Sequence, residues 1–276
     1  MLDDKVSCTA IGTAYLRAAH QVFETHPRIF DDPVALSLLG PNALQRIKGT
    51  EAHYQTPAMR ALRARVVLRS RFAEDRLAAA VLRGVTQYVI LGAGCDTFAL
   101  RQPPWARPLR IFEVDHPRTQ EGKRSRLSAA GLTMPENVEL VGIDFEHEPL
   151  HVGLKSHHIM NQPTFFSWLG VTMYLKEDTI DAVLRSVAAF PVGSEIVLTI
   201  ALQKDESLSI IAQRAANIGE PWVSYFEPDA FAAKLIGAGF SKVEFLSSAE
   251  AQARYFSQGQ GGLPVPKSAH ILCAVV

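Results

Sequence analysis

The sequence predicts an α/β fold in which a doubly wound, mainly parallel sheet carries helices on both faces. Short apolar segments alternate with segments of helical length throughout 85–276, as is typical of strand-helix-strand units. The first apolar segment, 88–91, leads directly into a turn that contains Gly92 and Gly94, and the next ends in carboxylates at 113–115. Because ligands bind at the carboxyl ends of parallel strands, these segments indicate a nucleoside-binding edge.

The part of the chain before residue 85 is predicted to be a helical addition to that core. Apolar residues recur at helical spacing, and an aspartate followed by Pro33 suits a helix start because aspartate caps helices and proline begins them. Gly84 suits a helix end. The predicted helices are 9–26, 31–48 and 57–83.

The core is predicted to alternate strands with helices. Short β-branched and aromatic runs mark the strands, and amphipathic segments mark the helices. The predicted strands are 87–91, 109–114, 138–143, 163–169, 195–202, 241–247 and 269–276. The predicted helices are 117–130, 177–189, 206–217 and 227–238.

The glycine turn differs from a dinucleotide-binding fingerprint at the position of the third glycine. In G-x-G-x-x-G that glycine lets a helix pack beneath a pyrophosphate, whereas here the position is Thr97. A nucleoside with a compact charged group, such as S-adenosylmethionine, therefore suits the turn better than NAD. A carboxylate beyond the turn, at Glu113 or Asp115, can accept hydrogen bonds from both ribose hydroxyls.

Four segments then follow one another along the chain in a recognisable order. They read Leu-Gly-Ala-Gly-Cys-Asp-Thr-Phe-Ala-Leu-Arg at 91–101, Phe-Glu-Val-Asp-His-Pro at 112–117, Gly-Ile-Asp-Phe at 142–145 and Trp-Leu-Gly-Val-Thr-Met-Tyr-Leu at 168–175. Together they resemble the leucine carboxyl methyltransferase family, and the resemblance extends from about Thr13 to the C-terminus. It implies a class I methyltransferase, Rossmann-like fold with a seven-stranded sheet, an N-terminal helical cap (1–84) and an α/β core (85–276) in one domain.

The resemblance also implies S-adenosylmethionine as the methyl donor, S-adenosylhomocysteine as the product, and particular binding residues. The ribose is expected at Asp115, with Glu113 as the alternative because it lies two residues earlier on the same face of the strand. The donor-binding residues expected in the turn are Gly92, Ala93, Gly94 and Asp96.

Further donor contacts are expected on both sides of the turn. Asp144 and Phe145 match the adenine site of the family. Arg69 matches, by its distance upstream of the turn, the arginine that pairs with the donor carboxylate, and Arg71 is the alternative. Leu169 stands where members of the family commonly have a glutamate, so a backbone contact is expected there but a polar side-chain contact is not.

The sequence identifies the residues that would contact the methyl acceptor less specifically than those that would contact the donor. Tyr174, Tyr15 and His20 are the candidate catalytic residues. A carboxylate acceptor requires no base, whereas a phenol could use His20 or His116. The leading hypothesis is O-methylation of a small-molecule carboxylate or hydroxyl. The alternatives are a protein C-terminal carboxylate as acceptor, a nicotinamide-dependent oxidoreductase, and a non-catalytic nucleoside-binding protein.

Composition narrows the classes of partner. The chain has 276 residues, 47% of them apolar, and 28 basic side chains balance 28 acidic ones, so no net charge favours nucleic acid. Neither a secretory leader nor an apolar run of membrane-spanning length is recognisable, and three scattered cysteines do not suggest disulfides. A cytoplasmic protein with no membrane partner is expected, and its oligomeric state stays open.

A histidine-rich segment follows the predicted adenine site. The spacings of its histidines and glutamates match no structural zinc pattern, and no cysteine is near, so a polar loop without metal is predicted. The residues concerned are Glu146, His147, Glu148, His151, His157 and His158.

Overall fold

The computed structural model describes residues 7–157, 159, 161–202, 206–256, 262–267 and 270–276. Within these ranges seven strands form one sheet, which confirms the predicted α/β class I methyltransferase fold. The strands are β1 (Gln87–Leu91), β2 (Arg110–Asp115), β3 (Val138–Gly142), β4 (Thr164–Trp168), β5 (Glu195–Thr199), β6 (Lys242–Phe245) and β7 (Ile271–Val275).

The strand order across the sheet is β3-β2-β1-β4-β5-β7-β6. Strands β1 to β5 are parallel, whereas β7 runs antiparallel to both β5 and β6. The chain leaves β1 and turns outward in both directions, first through β2 and β3 and then through β4 and β5. This reversal beside β1 opens a crevice at the carboxyl ends of β1, β2 and β4.

Helices cover both faces of the sheet and add a cap to one end. The cap begins with α1 (Cys8–Phe23), α2 (Val34–Leu39), α3 (Ala43–Gly49) and α4 (Glu51–Tyr54), and α5 (Pro57–Leu82) leads into β1. The core adds α6 (Pro117–Ala129), α7 (Leu150–Ser156), α8 (Glu177–Ala188), α9 (Glu206–Asn217), α10 (Pro228–Ala238) and α11 (Ser248–Ala251).

Two sequence predictions about helices are wrong. The predicted helix 31–48 is divided into α2 and α3, because Gly40 takes a positive φ of 92° and Pro41 follows it. The predicted polar loop after Asp144 contains α7, whose Leu150 and Leu154 pack into the core. The polar residues around Leu150 and Leu154 leave too little apolar periodicity in the sequence to predict this helix.

The histidine-rich segment can be placed only in part, since His158 lies outside the described residues. Among the described residues, no group of three or more histidine, cysteine, aspartate or glutamate side chains could hold a metal ion. None of the helices in the described ranges combines the length and the apolar character that crossing a membrane requires.

Helix α5 connects the cap to the core. Its 26 residues extend about 39 Å, and it begins after Thr56, whose hydroxyl accepts from the Met59 N–H. Its buried apolar side chains join the cluster that covers one face of β1, where Tyr88 and Ile90 point. The cap residues Ile29 and Phe30 lie in the same cluster. The cap and the core therefore share this apolar cluster.

Candidate functional site

A cavity of about 830 Å³ lies at the carboxyl ends of β1, β2 and β4, beneath α1 and α5. It brings together most of the residues that the sequence assigned to the site. The predicted residues that line it are Tyr15, Arg69, Gly92, Ala93, Gly94, Asp96, Asp115, Asp144, Phe145, Leu169 and Tyr174. Glu113 and His20 are not among its described lining residues.

The two glycines of the turn are required by both conformation and space. Gly92 has a φ of 65°, and a Cβ at this position would lie 2.3 Å from Cγ2 of Val171. Gly94 has a φ of 50°, and a Cβ there would lie 2.9 Å from Cβ of Ala10. The N–H groups of Gly92 and Ala93 donate to the Val114 carbonyl, which ties the turn to β2.

Asp115 ends β2 directly beside the turn. Its Oδ2 accepts from the Gly94 N–H at 2.6 Å and its Oδ1 accepts from the His116 N–H at 2.7 Å. Burial raises the pKa of Asp115, although these two N–H groups favour the ionised form. Each carboxylate oxygen can accept a further hydrogen bond, so neighbouring hydroxyl groups of a ribose fit this position.

Glu113 does not reach the cavity, contrary to the expectation that it could take the place of Asp115. It is fully buried, and its Oε2 accepts from Nζ of Lys123 on α6. Burial raises the pKa of Glu113 even though Lys123 opposes the effect. Both carboxylates lie on one face of β2, but α6 covers the inner one. Only the last residue of the strand reaches the cavity.

The predicted adenine residues lie at the end of β3. The Asp144 carboxylate accepts a hydrogen bond from the Glu146 N–H at 3.0 Å and lies 2.8 Å from Nδ1 of His147. Burial opposes its ionisation, but these two contacts outweigh burial and hold the pKa of Asp144 below its usual range. The Phe145 ring meets Trp168 edge to face, with 6.5 Å between the ring centroids. A carboxylate that can accept hydrogen bonds and a ring that can pack on an aromatic group therefore stand together.

Arg69 brings a positive charge to the cavity. Its guanidinium finds no hydrogen-bond acceptor and no ion-pair partner among the described residues, and it lies against Gly170, where a Cβ would be 2.4 Å from Nη1. Burial lowers its pKa to about 10, and nearby Arg17 lowers it further, against the opposite effects of Tyr174 and Asp96. The position therefore suits an anionic ligand group.

The alternative to Arg69 is placed elsewhere. Arg71 is partly exposed, and its Nε donates to Oδ1 of Asp75 at 2.8 Å, one helical turn later. It is not one of the described lining residues. Two arginines at i and i+2 point to different sides of a helix, and here only the first points into the cavity.

The candidate catalytic residues are separated by the structure. Tyr174 and Tyr15 line the cavity, and burial raises the pKa of Tyr174. The structure does not bring His20 to the cavity, because it is fully buried and its Nδ1 lies 2.8 Å from Oε2 of Glu24 inside the cap. Five helical residues rotate the side chain by about 140°, so Tyr15 and His20 cannot share a face of α1.

Sequence reasoning missed Glu220, which lines the cavity roof. Its carboxylate accepts from the N–H groups of Cys8 at 2.6 Å and Thr9 at 3.2 Å, and from the hydroxyls of Ser7 and Thr9. It thereby caps α1 from the segment after α9. A separation of more than two hundred residues leaves no local sequence signal for this contact.

These features fit S-adenosylmethionine. The glycine turn leaves its backbone open, the Asp115 carboxylate can accept from a ribose, and Arg69 offers a cation to a carboxylate. The side chain of Leu169 can offer only apolar contact, since it packs on a core cluster at the edge of the cavity. The site combines places for a nucleoside and for an amino acid group.

Comparison with known proteins also indicates S-adenosylmethionine as the methyl donor. The family model for leucine carboxyl methyltransferase matches residues 10–188. YktD of Bacillus subtilis (strain 168), provisionally named an S-adenosyl-L-methionine-dependent methyltransferase, is 31% identical over 303 aligned positions, which cover 100% of this chain and 99% of the relative. A similarly named protein of Frankia alni is 30% identical over 81% of this chain and 79% of its own length.

Two solved structures support the fold alone. A DUF574 family protein from Streptomyces avermitilis MA-4680 is 13% identical, with a TM-score of 0.56, and the match covers 94% of this chain and 95% of that one. A protein of Thermobifida fusca YX, provisionally named a methyltransferase, is 19% identical, with a TM-score of 0.53 and coverage of 94% and 96%. The chain therefore belongs to the leucine carboxyl methyltransferase family and is an S-adenosylmethionine-dependent methyltransferase.

Proposed function

We propose that the chain methylates an oxygen atom of a small molecule, either a carboxylate or a hydroxyl. The observation that carries the proposal is a continuous cavity of about 830 Å³ that joins the glycine turn to an apolar space under the cap. This volume lies within the range typical of small-molecule sites. The roof formed by α1 and the segment around Glu220 favours a small acceptor over the surface of a folded protein.

The donor is proposed to lie along the glycine turn. Gly92, Ala93 and Gly94 would contact its methionine part through their backbone, while Asp115 would hold the ribose. The proposed partner of the donor carboxylate is Arg69, because its partly buried guanidinium lines the cavity and has no carboxylate ion-pair partner among the described residues. Asp96 lines the same end of the cavity and favours the charged form of Arg69, so it is the proposed neighbour of the donor ammonium group. The proposed adenine site is Asp144 with Phe145.

The acceptor is proposed to occupy the cap side of the cavity. Its lining is mainly apolar and aromatic, which suits a molecule with an apolar or aromatic body. The residues that define this side are Tyr15, Met59, Leu62, Val66 and Trp222. The hydroxyls of Tyr15 and Tyr174 are the polar groups proposed to orient an acceptor oxygen on this side.

The chemistry places modest demands on the protein. S-adenosylmethionine supplies a methyl group on a positively charged sulfur that leaves as a neutral thioether. The residues of the chain must therefore align the acceptor oxygen and exclude water, which α1 does by packing Ala10 onto Gly94. Tyr174 stays protonated because its pKa is raised, so it donates a hydrogen bond rather than acting as a base.

The two acceptor chemistries differ in their need for a base. A carboxylate is already a nucleophile at neutral pH, whereas a phenol has to lose a proton during the reaction. The group proposed to receive that proton is His116, which lines the cavity and lies 3.4 Å from Asp144 through its Nε2. His20 cannot serve, because it is sealed inside the cap.

An acceptor screen tests the proposal. The purified chain is incubated with methyl-labelled donor and small aromatic or aliphatic acids and phenols, and the products are treated with mild base, which releases the label from esters but not from ethers. We expect label in a small molecule and none with the Asp115→Ala variant. Label that appears only in protein or nucleic acid, or in no acceptor at all, would contradict the proposal.

A further inference from the structure

The glycine turn is held by two buried cations that come from different parts of the molecule. Nη2 of Arg17 donates to the carbonyl of Cys95 at 2.5 Å, and Nζ of Lys123 donates to the carbonyl of Asp96 at 2.7 Å. Lys123 belongs to the core helix α6, whereas Arg17 belongs to the cap helix α1. Two consecutive peptide units of the turn are therefore oriented by two different helices.

Arg17 is itself held rigidly within the cap. Its Nε lies 2.8 Å from Oδ2 of Asp32, which is fully buried, while Oδ1 of Asp32 accepts from the Ala35 N–H and lies 3.6 Å from Nε of Arg101. Burial opposes the ionisation of Asp32, but Arg17 and Arg101 outweigh it and keep the pKa of the carboxyl below its ordinary value. Because Nε of Arg17 is occupied by Asp32, only the other N–H groups of its guanidinium can donate to the glycine turn.

The same cluster explains why a threonine replaces the third glycine of the dinucleotide pattern. Thr97 is fully buried, and its hydroxyl accepts from Nε of Arg101 at 3.2 Å and interacts with the Asp32 carboxylate. A glycine could make neither contact. Thr97 thus extends the ion pair of the cap into the residues that directly follow the turn.

Helix α1 also touches the turn a second time. The Cβ of Ala10 would lie 2.9 Å from a Cβ at Gly94, and Ala10 and Arg17 are seven residues apart on one face of the helix. Ala10 therefore leaves no room for a side chain at Gly94, and a charged hydrogen bond acts at Cys95. Between them they set where the Gly94 N–H points, which is at Asp115.

We propose that Arg17 is a positioning residue for the methyl donor: by orienting the Cys95 carbonyl from the cap, it makes donor affinity depend on how the cap is docked. The proposal rests on placement of the donor along the glycine turn. Arg17 also lines the cavity, and its proposed effect on the donor is exerted through the turn rather than by direct contact. It acts on the turn, and the turn together with Asp115 meets the donor.

The chain offers a closely matched control in Arg63. This arginine is also fully buried in the cap, donates from Nε and Nη2 to the carboxylate of Glu24, and donates from Nη1 to a backbone carbonyl, that of Tyr54, at 2.9 Å. It differs from Arg17 in having no contact with the glycine turn. A purely structural role would make the two arginines equivalent in every measurement.

The test is Arg17→Lys against Arg63→Lys. A lysine keeps the charge but offers a single point of contact, so it can stay with Asp32 and must release the Cys95 carbonyl. We expect Arg17→Lys to raise the calorimetric Kd for S-adenosylhomocysteine about tenfold, which corresponds to about 1.4 kcal/mol. We expect Arg63→Lys to lower the unfolding temperature about as much as Arg17→Lys does. We expect it to leave the Kd for S-adenosylhomocysteine unchanged. The amide NMR signals of Gly94 and Asp96 should shift only in Arg17→Lys.

Asp115→Ala separates failure of this proposal from failure of the donor site. Loss of affinity in Asp115→Ala, combined with an unchanged Kd in Arg17→Lys, would overturn the role of Arg17 alone. An unchanged Kd in Asp115→Ala would remove the donor site on which the role depends. Equal losses in Arg17→Lys and Arg63→Lys would also overturn it, since loosening of the cap would then explain both. If Arg17→Lys does not fold, Asp32→Asn replaces it, because it frees Arg17 while preserving shape, and the same outcomes apply.

Discussion

Residues of the same type take different roles in this protein according to what covers them. Glu113 and Asp115 lie on one face of β2, yet Lys123 neutralises the first while the second reaches the cavity. Arg69 and Arg71 show the same contrast on α5, since only Arg69 lacks a carboxylate partner among the described residues. At this scale the neighbours, rather than the residue type, decide which side chain can meet a ligand.

The first prediction concerns Arg69. Arg69→Met should weaken binding of S-adenosylhomocysteine by about 1.5–3 kcal/mol, the usual range for a charged hydrogen bond, because the cation for its carboxylate is lost. Binding of methylthioadenosine, which lacks the amino acid group, should not change. Parallel calorimetric titrations measure both ligands.

The matched control for Arg69 is Arg71→Met, on the same helix and outside the cavity. Both ligands should bind this variant as they bind the unmodified chain. Equal weakening of both ligands in Arg69→Met would show general damage to the site and would remove the assigned role.

The second prediction concerns Gly170, on which the Arg69 guanidinium lies. Alanine at Gly170 would place a Cβ 2.4 Å from Nη1 of Arg69, so Gly170→Ala should displace the guanidinium and weaken donor binding. Gly193→Ala is the comparison, since Gly193 also has a positive φ, 90°, but has no atom within 4 Å of the added Cβ. Both variants should lose about 1–2 kcal/mol of folding stability through backbone strain. Calorimetry should show weaker binding in Gly170→Ala only, and equal affinities would count against the assignment.

At the scale of elements, α1 and α5 build the roof over a core that follows the sequence pattern closely. The strands were predicted to within a few residues because their alternating apolar side chains face two covering layers, as Val89 and Ile90 show. The break at Gly40 and the short helix α7 were not predicted, since brief helices carry little periodicity. Cap contacts such as the one between Glu220 and α1 have no local signal at all.

The third prediction concerns the acid stability of the cap. Burial opposes ionisation of Glu24, but His20 and Arg63 outweigh it and lower the pKa of its carboxyl. The unfolded chain therefore takes up this proton at a higher pH than the folded chain does. The stabilising contribution is present above the ordinary carboxyl pKa, about 4.3, and is lost as the pH falls through the lowered value.

Glu24→Gln should therefore have a lower unfolding temperature than the unmodified chain at neutral pH and a shallower decline below about pH 4. Carboxyls with raised pKa values, those of Glu74, Glu113 and Asp115, act in the opposite sense but are common to both proteins. Thermal unfolding measured across the acid range gives the difference, with Glu51→Gln on the exposed surface as control. Parallel curves for Glu24→Gln and the unmodified chain would rule out this contribution.

At the scale of the whole molecule, the cap and the core are joined by α5 and by one apolar cluster. Ile29 and Phe30 of the cap pack with Tyr88 of β1, and Arg76 of α5 lies 2.5 Å from the carboxylate of Glu195 on β5. Removal of the cap would expose this apolar surface and unpair these charges. We therefore propose that residues 1–276 form one domain.

The fourth prediction follows from that arrangement. Heat unfolding should be a single transition, with a calorimetric enthalpy equal to the van't Hoff enthalpy, because the cap and the core cannot separate without breaking their common core. Differential scanning calorimetry measures both quantities. Two resolved transitions, or a clear excess of the calorimetric enthalpy, would show that the cap unfolds independently.

The sequence alone determined the fold class, the family and the donor, because these depend on local patterns: a buried strand, a turn that requires glycine, and a carboxylate at the end of the next strand. The tertiary structure decided which carboxylate and which arginine face the cavity, and it excluded His20. Those choices depend on what packs over each side chain. Packing joins residues far apart in the chain, such as Arg17 with Cys95, and no local pattern records it.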